Sequence, residues 1–273
     1  MSTFIIKIIA MITMFGDHLS RIVYGANETT YLNIIGRFAF ILFCFQLVLG
    51  YKKTKSLKKY LLRLLMIGII SQIPYSLFFD EISCNKYLNV CFTLLLGLIS
   101  LSILNAHKDN NKISFRENNY NLFNFDSTKS IITFIIKIIF ITILCYLVSI
   151  SNTIIGYGFE YNYKAILFMI SIYLFYPFET KHDIVKMVLY LLSIIIFAFA
   201  ECQSWYGSDN LALPVFSTTK DLTNYLLIYL FCIIGGLIPL LYNGRKGKSI
   251  KWLTYLFYPL HLLILYFIYR LMN

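Results

Sequence analysis

The sequence is poor in charge. Only 14% of its 273 residues are Asp, Glu, Lys or Arg, against roughly 25% in an ordinary soluble domain. With 59% hydrophobic residues and a mean hydropathy of +0.71, this excludes a soluble globular protein, a disordered chain and a disulfide-stapled secreted module. It leaves an all-α polytopic membrane protein. Regular alternation of polar and apolar residues is also missing. Apolar runs are continuous over helix-length spans, which disfavours a transmembrane barrel. The six cysteines, Cys44, Cys84, Cys91, Cys145, Cys202 and Cys232, form no CxxC pair and no metal-ligand spacing, so no metal is expected. They read as buried thiols, with a Cys84–Cys91 disulfide left open. GxSxG, HExxH, Walker A and GxGxxG are absent as well, which argues against a serine nucleophile elbow, a zinc protease, an intrinsic ATPase and a dinucleotide site. There is no internal repeat, and residues 1–273 read as a single integral-membrane domain. The first span carries Asp17, His18 and Arg21 where a cleavable signal would be apolar, so no such signal is expected.

What is present is a series of long apolar runs. Segments of about 17–25 residues predict about nine transmembrane helices. They cover Phe4 to Tyr24, Tyr31 to Tyr51, Tyr60 to Phe79, Tyr87 to Ala106, Ser130 to Ile150, Tyr163 to Pro177, Ile184 to Cys202, Leu222 to Tyr242 and Trp252 to Met272; the sixth is short, which suits a tilted helix or one merged with its neighbour. Lys and Arg outnumber Asp and Glu by 24 to 13. The excess lies between the spans, which points to cytoplasmic loops rather than to nucleic acid. The segment Tyr51 to Tyr60 is strongly basic and is expected inside. Alternation then puts Lys108 to Lys129, Lys181 and Arg245 to Lys251 on the same side. Glu28, Asp80, Glu81, Lys86, Glu160, Asp209, Lys220 and Asp221 fall on the other. The N-terminus is expected inside and the C-terminus outside. The polar stretch His107 to Lys129 reads as a solvated loop, and His107 and His182 as solvent-facing.

An ionisable group inside a span costs on the order of 2.5–3.5 kcal/mol at the helix centre. Such groups persist when they pair with one another or line a wet cavity, so each is a functional candidate. The spans offer Asp17, His18 and Arg21 in the first, Arg37 in the second, Arg63, Ser71 and Gln72 in the third, Asn89 and Thr93 in the fourth, and Tyr258 and His261 in the last. At about 1.5 Å per residue, His18, Arg37, Gln72 and Thr93 each lie roughly 9–10 Å below the outer end of their span, and His261 roughly 16 Å below. Convergence at one depth predicts a polar pocket in the outer half. The bland readings are interhelical glue for the Asp–Arg pair and snorkelling for Arg63, Lys7 and Arg270. Lys137 has no evident partner in the sequence.

Proton transfer is the chemistry these side chains permit. His is the usual group for exchanging a proton near neutral pH, a neighbouring carboxylate can orient the ring, and Arg can stabilise an oxyanion. His18 as base, Asp17 as orienter and Arg37 as electrostatic stabiliser together suit acyl transfer.

The same residues carry a family resemblance. Asp17-His18 resembles the first helix of the TraX family of polytopic membrane proteins. So do Ile35-Gly36-Arg37-Phe38-Ala39-Phe40, Leu49-Gly50-Tyr51 with the Lys-rich turn, Tyr60-Leu61-Leu62-Arg63-Leu64 and Ser71-Gln72-Ile73-Pro74. Asn89-Val90-Cys91-Phe92-Thr93-Leu94, Tyr157-Gly158 and Tyr255-Leu256-Phe257-Tyr258-Pro259-Leu260-His261-Leu262 continue the match, in order, over nearly the whole chain. Ile41 departs from the pattern, which usually continues with Pro there. The family is known for acetylating the N-terminus of conjugative pilin subunits in the bacterial inner membrane, and it is similar to wider membrane acyltransferases that modify surface sugars. The resemblance implies an acetyl-CoA donor handled from the cytoplasm and a peptide or glycan acceptor at or beyond the bilayer. It further implies that His18 leads the catalytic set, with Asp17, Arg37 and His261. Arg21, Gln72, Asn89, Thr93 and Tyr258 are candidate substrate contacts, and Lys58, Lys59 and Arg63 candidate anchors for the CoA phosphates. A donor arriving from inside and a polar level in the outer half require a tunnel for the pantetheine arm, or a relay of the acyl group. Two other classes stand beside this one: a proton-coupled transporter using Asp17, His18 and His261 as a relay, and a non-catalytic membrane assembly protein.

Overall fold

The computed structural model of the chain describes residues 1–25, 30–83, 86–109, 112–114, 128–178, 183–205, 216 and 218–272. Ten α-helices are present among the described residues. They are α1 (Thr3–Tyr24), α2 (Tyr31–Lys53), α3 (Leu57–Ser83), α4 (Val90–Leu104), α5 (Thr128–Ser149), α6 (Ser151–Ile155), α7 (Asn162–Phe175), α8 (Ile184–Trp205), α9 (Thr219–Leu237) and α10 (Lys251–Met272). Seven are long and apolar enough to cross a membrane, and α4 and α7 are shorter apolar helices. Each of the nine expected spans therefore has its helix, and the protein is an all-α, multi-pass membrane bundle. The fourth begins at Val90 rather than Tyr87, because Tyr87–Leu88 (β1) pairs in parallel with Gly158–Phe159 (β4) and Asn89 caps the helix by accepting from the Cys91 amide. The fifth is followed by one extra turn, α6. Within the stretch read as a loop, His107–Asp109 (β2) and Lys112–Ser114 (β3) form an antiparallel hairpin. His182 and Cys84 lie outside the described residues.

Helix starts are set by local chemistry. Ser2 caps α1, and Thr30 with Asn33 forms a capping box on α2, satisfying amides that have no partner in the first turn. α2 is the most deeply buried of the long helices; it packs against α1, α9, α7 and α4, as a helix apolar on every side should. α3 pairs with α10, and α4 with α7. α5 turns Ile132, Ile136, Ile139, Phe140 and Ile143 outward, a surface suited to hydrocarbon rather than water.

The two ends of the bundle differ as the loop charges predict. At one end, residues 1–4 strap onto the loop after α9: the Asn243 amide donates to the Met1 carbonyl at 2.9 Å and the Thr3 amide to the Arg245 carbonyl at 3.0 Å. Lys53 Nζ donates to the Tyr242 hydroxyl at 2.8 Å, and Lys52 lies over the Phe178 ring. The N-terminus, the basic turn after α2 and the Arg245 loop thus share one end. The strand pair β1–β4 and Glu160 sit at the other. Lys137 finds its partner here: its ammonium donates to the Leu104 carbonyl at 3.0 Å, at the C-terminus of α4, where a positive charge meets the negative end of the helix dipole.

Candidate active site

α1 and α2 approach closely because Gly36 faces Asp17. A Cβ at position 36 would lie 2.8 Å from Asp17 Cγ. The contact brings four polar side chains together inside the bundle. Arg37 Nη2 donates to Asp17 Oδ2 at 3.1 Å, and Arg37 Nε to the Asn33 carbonyl at 3.2 Å. Asn33 Nδ2 donates to Asp17 Oδ1 at 3.0 Å and also to the Ser20 hydroxyl. Asn33 Oδ1 meanwhile accepts from the Thr30 backbone and side chain, so the residue that completes the α2 cap also holds the Asp17 carboxylate. The Asp17–Arg37 pair is closed and buried, with both oxygens of the carboxylate bonded.

His18 does not take Asp17 as its partner. Its Nδ1 lies 2.8 Å from His261 Nε2 of α10, and His261 Nδ1 lies 2.7 Å from the Phe257 carbonyl one turn earlier. Both rings are buried, at 6% and 3% exposure. They stack nearly parallel, with Phe78 and Phe79 of α3 against His18 and Phe257 against His261. The proton positions follow from the heavy atoms. A carbonyl can only accept, so His261 Nδ1 carries a hydrogen. With both rings neutral, His261 Nε2 is then a lone pair, and His18 Nδ1 must be the N–H that donates to it. That tautomer leaves His18 Nε2 with a lone pair.

The other sequence candidates separate into groups. Arg21 lies over the Phe79 ring at 5.3 Å, and its Nε is buried with no hydrogen-bond partner among the described residues. It is on the same face of α1 as His18. Tyr258 is buried with its ring 5.8 Å from His261. Gln72, Asn89 and Thr93 spend their polar groups on the fold. Gln72 Oε1 accepts from both the backbone and side-chain nitrogens of Asn89, and Thr93 Oγ1 donates to the Glu160 carbonyl at 2.6 Å. Lys58 and Lys59 are exposed at the basic end. Arg63 beside them has a buried Nε with no partner among the described residues. Fifteen residues of α3, about 22 Å of helix, separate Arg63 from Phe78, so this basic cluster is not brought to the His18 pair. A cavity of about 580 Å³ opens at the ends of α1, α2 and α9, lined by Tyr24, Tyr31, Ile34, Lys220 and Leu227 among others; neither histidine lines it.

Two acidic residues join the cluster without having been singled out in the sequence. Glu201 of α8 is buried near Arg37 and Lys164. Glu160, in the segment between β4 and α7, accepts from the Val90 amide and lies within electrostatic reach of Arg21, Asp17 and Arg37, and burial pushes its pKa up to about 7.

Comparison with known proteins agrees with the motifs. The sequence model of the TraX protein family matches residues 2–269. A protein of Dichelobacter nodosus described as "Probable fimbrial assembly protein FimC, serogroup H1" is 26% identical over 280 aligned residues, covering 97% of this chain and 94% of the relative. No solved structure matches. With a match from the first helix to the last, the chain belongs to the TraX family.

Proposed function

We propose that the protein is an acetyltransferase of the bacterial inner membrane that moves an acetyl group from acetyl-CoA to a peptide amine, with His18 as general base. The observation that carries this reading is the hydrogen-bond chain His18–His261–Phe257, which leaves the His18 Nε2 lone pair unused. His18 Nε2 takes a proton from the attacking nitrogen as that nitrogen adds to the thioester carbonyl. His261 accepts the Nδ1–H bond and keeps the ring in the required tautomer and orientation, the task a carboxylate performs in a serine triad. Arg21, through its unpartnered Nε, stabilises the oxyanion. The C–S bond then breaks, and the imidazolium returns its proton to the departing thiolate. Asp17, Asn33 and Arg37 hold α1 and α2 in register around this centre.

The donor end has suitable chemistry. A buried guanidinium nitrogen on Arg63 and the exposed ammonium groups of Lys58 and Lys59 form a cationic set that suits the phosphates of CoA. The thioester must then pass along α3 to reach His18. The relative described as a fimbrial assembly protein supports a peptide acceptor over a glycan. A transporter relay fits less well, because a relay needs a continuing chain of titratable groups. Here the chain ends after two rings, on a backbone carbonyl. The test is mass spectrometry of a short free-amine peptide incubated with purified protein and acetyl-CoA. The expected result is an added acetyl group at the amine, and an unmodified peptide together with intact acetyl-CoA would overturn the reading.

A further inference from the structure

Glu160 carries a carboxylate oxygen that the fold does not use, although the Val90 amide bonds the group. Its backbone is fully engaged: the amide donates to the Leu88 carbonyl at 3.3 Å, and the carbonyl accepts from Thr93. Its Oε2 is closed off from solvent and has no hydrogen-bond partner among the described residues. Several elements face it. α1 contributes Arg21 and Asp17, α2 Arg37, α3 Tyr75, α4 the Val90 amide and Cys91, α10 Tyr258, and its own segment Tyr161. Arg21 has an unpartnered buried nitrogen nearby, yet no ion pair joins it to Glu160; among the described residues the ion pairs are Asp17–Arg37 and Lys186–Asp183. Two opposite charges in one dry neighbourhood normally close on each other, since each unmade bond costs free energy. Here Arg21 is drawn onto the Phe79 ring instead. A carboxylate oxygen in need of a donor, with phenol rings around it, is a receptor for an ammonium group.

We propose that Glu160 is a second catalytic residue, which receives the acceptor's ammonium and takes its first proton before His18 takes the second. The inference rests on the amine-acetylation reading above and completes its proton count. A protonated amine has no lone pair. One proton passes from nitrogen to the Glu160 carboxylate, giving a neutral amine and a neutral carboxyl. The amine forms the C–N bond, His18 removes the second proton, and the C–S bond breaks with that proton going to sulfur. Glu160 then returns its proton to water at the outer face. The sum is ammonium plus thioester giving amide, thiol and one free proton. A carboxyl group poised near neutrality suits this exchange, and burial pushes Glu160 up to about 7, beside an amine whose ordinary value is about 8.

Binding to the purified full-length protein separates this claim from the transfer reading. The probes are glycyl-phenylalanyl-glycine amide with a free amino terminus and the same peptide N-acetylated, titrated calorimetrically without acetyl-CoA. The wild type is expected to favour the free amine by about ten- to hundred-fold, the worth of a charged hydrogen bond. Glu160→Gln should remove that preference and Glu160→Asp should retain part of it, with thermal unfolding checking that both variants fold. A wild type that binds both peptides equally, or a Glu160→Gln protein that still prefers the amine, would overturn the proposal. An amine preference without any thiol release would sink the transfer reading and the proton step with it, leaving Glu160 as an amine-binding group. Thiol release with an undiminished preference in Glu160→Gln would sink the Glu160 role alone.

Discussion

His18 and His261 lie 243 positions apart in sequence, yet their ring nitrogens meet at 2.8 Å. The first and last of the described helices are thereby joined, and with both rings neutral the direction of the bond is set by the Phe257 carbonyl behind it. This arrangement leaves His18 Nε2, rather than Nδ1, as the ring nitrogen with an unengaged lone pair.

His261→Ala removes the acceptor for the His18 Nδ1–H and frees the ring to turn or exchange tautomers. Turnover is expected to fall by about a hundredfold, within the range assigned to a positioned acid–base group, while helical content by circular dichroism stays unchanged. His261→Gln, whose side-chain carbonyl can accept the same bond, should recover part of the rate. Wild-type turnover in His261→Ala would show that the ring pair does not organise the base.

Arg37 donates from two different nitrogens, Nε to Asn33 and Nη2 to Asp17. A lysine presents one point charge and cannot span both acceptors. Arg37→Lys should therefore lower both stability and activity. Arg37→Ala, which strands the buried Asp17 carboxylate, should cost on the order of 3–5 kcal/mol. Denaturation in detergent would measure this, and the double variant Asp17→Asn/Arg37→Ala should be more stable than Arg37→Ala alone. Full activity in Arg37→Lys would reduce the residue to a source of positive charge.

Gly36→Ala places a methyl group against Asp17, 2.8 Å from its Cγ. That is too close for the two helices to keep their distance. α1 should move away from α2, the Asp17–Arg37 bond should lengthen, and activity should drop although no chemical group has been removed. Thermal unfolding several degrees below the wild type is the expected sign; an unchanged midpoint would show that α1 absorbs the methyl.

Glu160 makes stability depend on pH. Its carboxyl is pushed up to about 7 in the folded protein, chiefly by burial, so the folded state holds a proton that the unfolded chain, with an ordinary value of about 4.3, releases. This contribution to stability is present below about pH 4 and declines as pH rises, until it is lost above about pH 7, a change on the order of 4 kcal/mol. Glu160→Gln cannot ionise and should flatten the pH–stability curve over that window. Curves of identical slope for the two proteins would contradict the assignment.

Much of this architecture could be read from the residues. Among the described residues the apolar runs located the seven helices long enough to cross a membrane and the two shorter apolar ones, and the alternation of basic and acidic loops anticipated that the N-terminus, the Lys52–Lys53 turn and the Arg245 loop share one end. Asp17, His18, Arg37 and His261 stood out because charge at membrane depth is costly. The pairing of His18 was not legible. Rise along a helix measures depth along that helix's own axis from an assumed end, so an apparent difference of about 7 Å hid the contact of positions 18 and 261. Nor does depth report rotation, so Asp17 looked like the orienter of the neighbouring ring when its carboxylate in fact turns to Arg37 and Asn33. Asn89 carried a readable signal, a cap residue directly before an apolar run, and its side chain serves that cap rather than lining the ring pair. Glu160 looked like an outer-loop acid. Its burial depends on the β1–β4 pairing of segments some seventy residues apart, a non-local contact that no local pattern announces.

Whether His18 is the general base is decided by thiol release from acetyl-CoA by purified protein in the presence of a free-amine peptide, comparing wild type with His18→Ala at matched folding. Measurable release by the wild type and a loss of at least about a hundredfold in the variant are expected. Equal rates for the two proteins would contradict that role.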